Sequence, residues 1–381
     1  MDGSSFTFAV DAEIRFGSGV RRDVGNAAAR FGRRAALVTG RTWLADSPHL
    51  SELNDHLDRS GVEVVTRSIA KGEPDADDVE RAAAQMRSAG IDVVIAIGGG
   101  SALDLAKASA IVATGKDLRA LLGGAGVERS GGVPVVALPT TAGSGAEASR
   151  GAIVLDRRSG KKRGIRGAGV APRVALVDPE LVASCPAVVT ARAGFDAVAH
   201  AVETTVSRAA SPVTRALARD ALSLLLWSVP RSVKDGGDME ARAAASYAAL
   251  LMGINLANST TCLPHRMQYP LGALTGTEHA VGVAALTRPW LERALQFAPE
   301  RLAELAPAVG HGGEDTTSAA RSVARAVVSL LEDLGLDVRL RDLGVQDSDL
   351  AQLAAAVEGA VENDPGPTDT DALRRLYQAS L

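Results

Sequence analysis

Four short apolar runs before residue 140, with Ala-rich stretches between them, constrain the fold more than any other feature of this sequence. The runs are Arg34–Gly40, Val62–Val65, Asp92–Ile97 and Val133–Pro139. They are largely continuous rather than alternating, as in strands that are covered on both faces. Segments 77–89 and 102–114 have helical composition. The pattern predicts an α/β N-terminal domain with a parallel Rossmann-like sheet.

The sequence changes character after Asp178-Pro179-Glu180. From about residue 187 the chain is rich in Ala and Leu and has helical periodicity with few strand signals. We therefore predict an α/β domain at residues 1–183 and an all-α domain at residues 184–381. Two further runs, Ala152–Leu155 and Val174–Val177, are expected to form a hairpin-like addition to the sheet.

Bulk composition excludes several classes of protein. The formal net charge is −4 and no long basic stripe is present, which argues against nucleic-acid binding. The two cysteines are far apart in sequence, so a disulfide framework is not expected. No uncharged apolar stretch reaches the roughly 18 residues of a membrane span, and the N-terminus does not resemble a signal peptide. We expect a cytoplasmic protein without membrane partners.

A carboxylate and three imidazoles in the second half have the composition of a metal site. Asp196 and His200 are four residues apart in a predicted helix, so their side chains point the same way. His265 and His279 bracket a second segment, and three of the six histidines of the chain fall in these two places. The four side chains suit a divalent metal such as Fe²⁺ or Zn²⁺.

Two polar turns follow predicted strands in the first domain. Glycines at such a turn let backbone N–H groups approach a phosphate, and open α/β sheets bind ligands at their strand ends. An ordinary strand-to-helix turn, or a loop with helix-capping residues, also fits each turn taken alone. The predicted cofactor contacts are Gly98, Gly99, Gly100, Ser101, Asp104, Thr140, Thr141 and Ser144.

The end of the predicted strand Arg34–Gly40 bears on which nucleotide the chain binds. An acidic residue at a strand end commonly accepts the ribose 2′-OH and repels a 2′-phosphate. Here the position is Gly40, followed by Arg41, which leaves room and positive charge. This favours NADP(H) over NAD(H), although a surface arginine beside a turn is an equal alternative.

Three blocks together resemble the iron-containing (group III) alcohol dehydrogenase family. They are residues 98–107, 139–147 and 195–203, and the resemblance spans nearly the whole chain in order. It implies a metal-dependent NAD(P)H alcohol dehydrogenase or aldehyde reductase whose ligands fall on Asp196, His200, His265 and His279. It also implies that Lys162 lines the cofactor and active-site region. Members of the family often form dimers or larger assemblies, so a homodimer is expected.

Departures from the family pattern concern the substrate. Tyr269 stands where the family usually has a further His. Either its hydroxyl relays a proton, or water and the ribose hydroxyl of the cofactor do so. Arg266 stands where Gly or Ala is usual, and with Lys162 it is expected to bind the carboxylate or phosphonate of a small anionic aldehyde. Phosphonoacetaldehyde is one candidate. A packed Tyr269 and an outward-pointing Arg266 are the alternatives.

Two other functions compete with the reductase. A sugar-phosphate cyclase resembling dehydroquinate synthase uses bound NAD and a metal, but it needs several basic residues for a phosphate. A catalytically inactive binding or assembly subunit would not need the intact set of four ligands.

Overall fold

The structure, a computed structural model, describes residues 5–41, 49–313 and 315–381. These residues fall into two units, one made of residues 10–185 and the other of residues 5–9 with 186–381. In the described ranges no helix is long and apolar enough to cross a membrane.

A six-stranded parallel sheet forms the centre of the first unit. Its order is β1-β8-β5-β4-β2-β3, and every pairing in it is parallel. The central strands are buried on both faces, as their continuous apolar sequence predicts. The predicted parallel sheet is confirmed. The strands of the unit are β1 (Glu13–Phe16), β2 (Arg34–Gly40), β3 (Glu63–Ala70), β4 (Val93–Gly98), β5 (Val135–Pro139), β6 (Gly151–Asp156), β7 (Lys161–Arg166) and β8 (Val174–Val177).

Helices cover both faces of this sheet. Successive strand residues point to opposite faces, so Leu37 packs in one apolar cluster with Leu53 and Val38 packs in the other with Val79 and Ile111. The helices are α1 (Val24–Ala29), α2 (His49–Arg59), α3 (Ala76–Ser88), α4 (Gly100–Val112), α5 (Leu118–Leu122) and α6 (Pro179–Val182).

The expected pairing of Ala152–Leu155 with Val174–Val177 is wrong. Strand β8 lies inside the parallel sheet between β1 and β5, because four consecutive apolar residues suit a strand buried on both faces. The partner of β6 is β7, which contains the basic cluster. Lys162 and Ile165 are the buried residues of β7, so the positive charges concealed a strand signal.

The second unit is helical throughout the residues that are described, which confirms the predicted all-α region. Helix α7 is its core, because most of its side chains are buried. The helices are α7 (Ala187–Val206), α8 (Pro212–Lys234), α9 (Met239–Asn258), α10 (Leu263–Thr275), α11 (His279–Phe297), α12 (Pro299–Ala303), α13 (Thr316–Asp333), α14 (Leu350–Ala355) and α15 (Thr370–Ser380).

Two long-range contacts tie chain segments to this helical unit. The Asn258 side chain accepts from the Ala9 N–H at 2.8 Å and donates to the Ala9 carbonyl at 2.9 Å. The buried Tyr377 hydroxyl donates to the Met267 carbonyl at 2.6 Å. The first contact holds the start of the described chain against α9, and the second holds α15 against α10.

Candidate active site

Three helices of the second unit bring the four predicted ligands together. Asp196 and His200 lie one turn apart on α7 and are buried. His265 lies in the first turn of α10, which begins after Cys262 with Pro264 in the first turn. His279 is the first residue of α11 and its side chain is 29 % exposed, so it borders solvent.

The atoms of these side chains are spaced for a shared cation. Asp196 Oδ1 lies 3.4 Å from His265 Nε2 and 3.6 Å from His279 Nε2, and Asp196 Oδ2 lies 3.9 Å from His200 Nε2. The ligand atoms of Asp196, His265 and His279 all lie within 4.8 Å of one another. A tetrahedral site with bonds of about 2.1 Å separates its ligand atoms by about 3.4 Å.

Two buried atoms of the cluster lack hydrogen-bond partners. Asp196 Oδ1 and His265 Nε2 are inaccessible to solvent, and neither makes a hydrogen bond to any described residue. A buried polar atom without a partner is costly, so a bound cation would relieve both atoms at once. One carboxylate and three imidazoles form a donor set for a divalent first-row metal, and the residues therefore fit such an ion.

The electrostatics of the cluster favour ionised groups. Burial opposes a charged Asp196, but His200, His265 and His279 hold the pKa of this carboxyl well below its usual range. Burial likewise opposes a charged His265, yet Glu203 and Asp196 raise the pKa of this imidazole to about 10. The cluster thus concentrates negative charge that a cation or protons must balance.

Two further side chains touch the cluster, and neither was predicted as a site residue. Glu203 Oε1 lies 2.6 Å from His265 Nδ1, and Gln268 Oε1 lies 2.8 Å from His279 Nδ1. A sequence signal existed for Glu203, because it follows Asp196 by seven residues and so shares its helix face.

The two residues that were predicted to contact the substrate lie close together on α10. Arg266 is buried, donates to Thr260 Oγ1 at 3.2 Å and Thr261 Oγ1 at 2.8 Å, and stands 5.6 Å from the ring centroid of Tyr269. The Tyr269 ring lies 6.4 Å from that of His279. Arg266 makes no ion pair with the described residues, and its Nε has no hydrogen-bond partner among them.

The two polar turns of the first unit lie at the ends of adjacent strands. Gly98 at the end of β4 is paired with Pro139 of β5, and the Thr140 N–H donates to the Gly98 carbonyl at 3.0 Å. A Cβ on Gly99 would lie 3.2 Å from Thr141 Oγ1. A Cβ on Gly100 would lie 2.8 Å from Ser144 Oγ. The glycines thus let the turns pack together, while the first N–H groups of α4, where Ser101 lies, remain outside the helical ladder.

Asp104 and the buried Lys107 join these turns from within α4. Asp104 Oδ2 accepts from the Ile153 N–H at 2.9 Å, and Asp104 Oδ1 lies 3.2 Å from Lys107 Nζ. Lys107, whose side chain is 0 % exposed, also donates to the Ala146 carbonyl at 2.9 Å and to Ser149 Oγ at 3.2 Å. Asp104 was predicted to contact a cofactor; its carboxylate is engaged in holding α4 to β6.

The remaining predicted residues lie in the same unit. Lys162 on β7 is buried and forms an ion pair with Glu73. Gly40 ends β2, the neighbour of β4 in the sheet, and a Cβ there would meet no atom within 4 Å. Arg41 follows and is exposed.

Comparisons with known proteins cover both units. The family described as iron-containing alcohol dehydrogenase matches residues 11–179, and its C-terminal family matches residues 190–381. The 1,3-propanediol dehydrogenase of Klebsiella pneumoniae is 32 % identical over 358 residues, which is 92 % of this chain and 92 % of that protein.

Solved structures with a similar fold belong to the same class of enzyme. An alcohol dehydrogenase from Oenococcus oeni has a TM-score of 0.93 at 28 % identity and covers 99 % of this chain and 100 % of its own. Sulfoacetaldehyde reductase from Bifidobacterium kashiwanohense, solved in complex with NAD⁺, has a TM-score of 0.87 at 28 % identity, with 99 % of each chain covered. The family is one of metal- and nicotinamide-dependent enzymes, so the predicted enzyme class is confirmed. The chain belongs to the iron-containing alcohol dehydrogenase family and is an oxidoreductase that acts on CH–OH groups.

Proposed function

We propose that this chain binds Fe²⁺ through Asp196, His200, His265 and His279 and reduces a small anionic aldehyde with NADPH. The observation that carries the proposal is the convergence of Asp196, His265 and His279, with His200 Nε2 3.9 Å from Asp196 Oδ2. Two of these buried atoms, Asp196 Oδ1 and His265 Nε2, lack hydrogen-bond partners among the described residues. Zn²⁺ fits the same donor set, and the metal content of protein purified without chelators decides between the two metals.

Each part of the chain has a separate task in this reaction. The bound metal would polarise the carbonyl oxygen, and the nicotinamide would supply the hydride. The turns at Gly98 and Thr140 hold the nucleotide phosphates with backbone N–H groups and hydroxyls. Tyr269, whose hydroxyl makes no hydrogen bond to a described residue, donates a proton to the substrate oxygen close to His279.

The choice of NADP(H) rests on the end of β2. Gly40 offers open space and Arg41 offers positive charge, whereas a carboxylate there would repel a 2′-phosphate. The sulfoacetaldehyde reductase relative was solved with NAD⁺. The ratio of kcat/KM for NADPH and NADH therefore tests this part of the proposal directly.

The anionic substrate rests on Arg266. A buried guanidinium without a carboxylate partner is expensive, and a bound anion would supply the missing charge. Lys162 is a weaker candidate for binding the substrate anion, because its charge is already neutralised by Glu73. The name of the sulfoacetaldehyde reductase relative shows that an anionic aldehyde occurs as a substrate among similar proteins. Phosphonoacetaldehyde belongs to the same chemical class.

The test is an assay of metal-reconstituted protein with NADPH or NADH against neutral and anionic aldehydes of matched size. We expect turnover of the anionic aldehydes, with kcat/KM reduced about 10²-fold or more in Arg266→Ala, because a charged hydrogen-bonded pair is lost. Arg325→Ala, which removes an exposed arginine on α13, is the matched control. Turnover of neutral aldehydes alone would remove Arg266 from the substrate site.

Absence of oxidation with every aldehyde, in protein that holds metal and nucleotide, would favour the cyclase-like alternative. Failure to bind metal at all would favour the inactive subunit. The cytoplasmic location and the homodimer stay predictions; light scattering of the purified protein tests the second.

A further inference from the structure

We infer that Glu203 is a positioning residue that holds His265 in the metal-binding tautomer, and that Gln268 does the same, more weakly, for His279. The inference rests on the proposed metal-dependent function. It concerns two side chains that contact the ligands from the side opposite the shared centre.

Glu203 is fixed by contacts on both of its carboxylate oxygens. Its Oε1 accepts from His265 Nδ1 at 2.6 Å, and its Oε2 accepts from the Cys262 N–H at 2.8 Å. The residue is 1 % exposed, so no solvent competes for these atoms. Glu203 therefore joins α7 to the first turn of α10, the turn that carries His265.

The contact determines which nitrogen of His265 is available. When Nδ1 carries the proton and donates it to Glu203, the lone pair of Nε2 is free. Nε2 is the atom that lies 3.4 Å from Asp196 Oδ1 without a hydrogen-bond partner among the described residues. The negative charge of Glu203 also makes this imidazole a more basic ligand.

Gln268 provides a neutral version of the same contact. Its Oε1 accepts from His279 Nδ1 at 2.8 Å, which directs His279 Nε2 toward Asp196 Oδ1 at 3.6 Å. Hydrogen bonds to a charged acceptor are roughly twice as strong as those to a neutral one. The two supports are therefore unequal, and His265 is the better-held ligand of the two.

Replacing Glu203 with Gln separates its charge from its shape. The amide keeps the size of the carboxylate but has only one accepting oxygen. If that oxygen faces His265, the NH₂ group meets the Cys262 N–H, so one of the two contacts is lost in either orientation. Thr205→Val is the matched control, because Thr205 is also buried on α7 and its hydroxyl donates to the Ala201 carbonyl and bonds no other residue in the described ranges.

The experiment measures Co²⁺ affinity of the full chain by competition with a chromophoric chelator, with the Co²⁺ d–d spectrum as a second readout. We expect Glu203→Gln to weaken binding about 10- to 100-fold and to shift the spectrum. Gln268→Met should weaken it by a smaller factor, and Thr205→Val should lower thermal stability while leaving affinity unchanged.

Other outcomes separate this inference from the proposed function. Parent protein that binds no Co²⁺ overturns the proposed function and the inference with it. Parent protein that binds Co²⁺, with Glu203→Gln equal to it in affinity and spectrum, overturns the inference alone. If circular dichroism shows that Glu203→Gln does not fold, two variants of Gln268 decide instead. Weaker Co²⁺ binding in Gln268→Met and tighter Co²⁺ binding in Gln268→Glu support the inference. Unchanged Co²⁺ affinity in both variants overturns it.

Discussion

Replacing Lys107 with Met should loosen both polar turns of the α/β unit, at Gly98 and at Thr140. Lys107 Nζ donates to the Ala146 carbonyl at 2.9 Å and to Ser149 Oγ at 3.2 Å, and it lies 3.2 Å from Asp104 Oδ1. Met has a similar length and no charge, so the substitution removes all three interactions without opening a large cavity. The loop after β5 then loses its two hydrogen bonds to α4.

The size of the destabilisation depends on the Asp104 carboxylate, which stays in place when the lysine is removed. Removing one partner of a buried ion pair costs about 3–5 kcal/mol, because the other charge stays buried. Asp104 keeps its bond from the Ile153 N–H and is 17 % exposed, so we take the lower end, about 3 kcal/mol. At about 1.4 kcal/mol per factor of ten, local opening should become roughly 100-fold more frequent.

Hydrogen exchange measured by mass spectrometry is the appropriate assay, because it reports each segment separately. Peptides from α4 and from residues 140–150 should exchange roughly 100-fold faster in Lys107→Met. Peptides from α13, in the other unit, should be unchanged. NADPH titration should show weaker binding in the same protein.

Lys116→Met is the matched control, since Lys116 is exposed just after α4. A further variant, Lys107→Met with Asp104→Leu, should recover part of the loss, because replacing both partners leaves no uncompensated charge. Exchange in Lys107→Met that equals exchange in Lys116→Met would refute the reasoning.

Three further predictions concern single side chains. Burial raises the pKa of Glu147 to about 7 although Lys107 opposes the shift, so its contribution to stability is present below the unfolded value near 4.5 and is lost as the pH rises through 7. Glu147→Gln should therefore increase the free energy of unfolding more at pH 8 than at pH 5, by up to about 3 kcal/mol, which thermal melts at the two pH values measure. Equal gains in melting temperature at both pH values would contradict this. Gly100→Ala places a Cβ 2.8 Å from Ser144 Oγ and should cost about 1–3 kcal/mol with weaker NADPH binding, both partly recovered by adding Ser144→Gly; a double variant no better than the single one would argue against the packing explanation. Tyr269→Phe should lower kcat about 10²-fold at unchanged metal content, whereas unchanged kcat would assign the proton to another donor.

Local sequence predicted the central strands well because burial on both faces leaves a continuous apolar run. The predicted run Arg34–Gly40 coincides with β2. The second half of β3 was not predicted, because this strand lies at the sheet edge and Arg67 and Ser68 interrupt the pattern. Strand β1 is at the other edge, none of its four residues is buried, and two of them are the polar Glu13 and Arg15.

The pairing of strands, and the side chains that contact the candidate metal ligands, were harder to predict than the type of each element. The partner of Val174–Val177 is set by contacts distant in sequence, which a local pattern does not contain. Asp196, His200, His265 and His279 are of residue types that commonly bind metals, so their proximity was expected from sequence. Glu203 and Lys107 have ordinary charged side chains on apolar helices. The sequence places Glu203 on the same helix face as Asp196, but the contacts of both residues with their partners are visible only in the structure.

The contact between Ala9 and Asn258 has a consequence for synthesis. The two residues are 249 positions apart, so the start of the chain cannot reach its partner until the ribosome has made α9. Residues 10–185, which contain the whole parallel sheet, leave the ribosome before α9 does. The α/β unit can therefore complete its folding before residues 5–9 find their partner. The hydrogen bonds between Ala9 and Asn258 form afterwards, once α9 is in place.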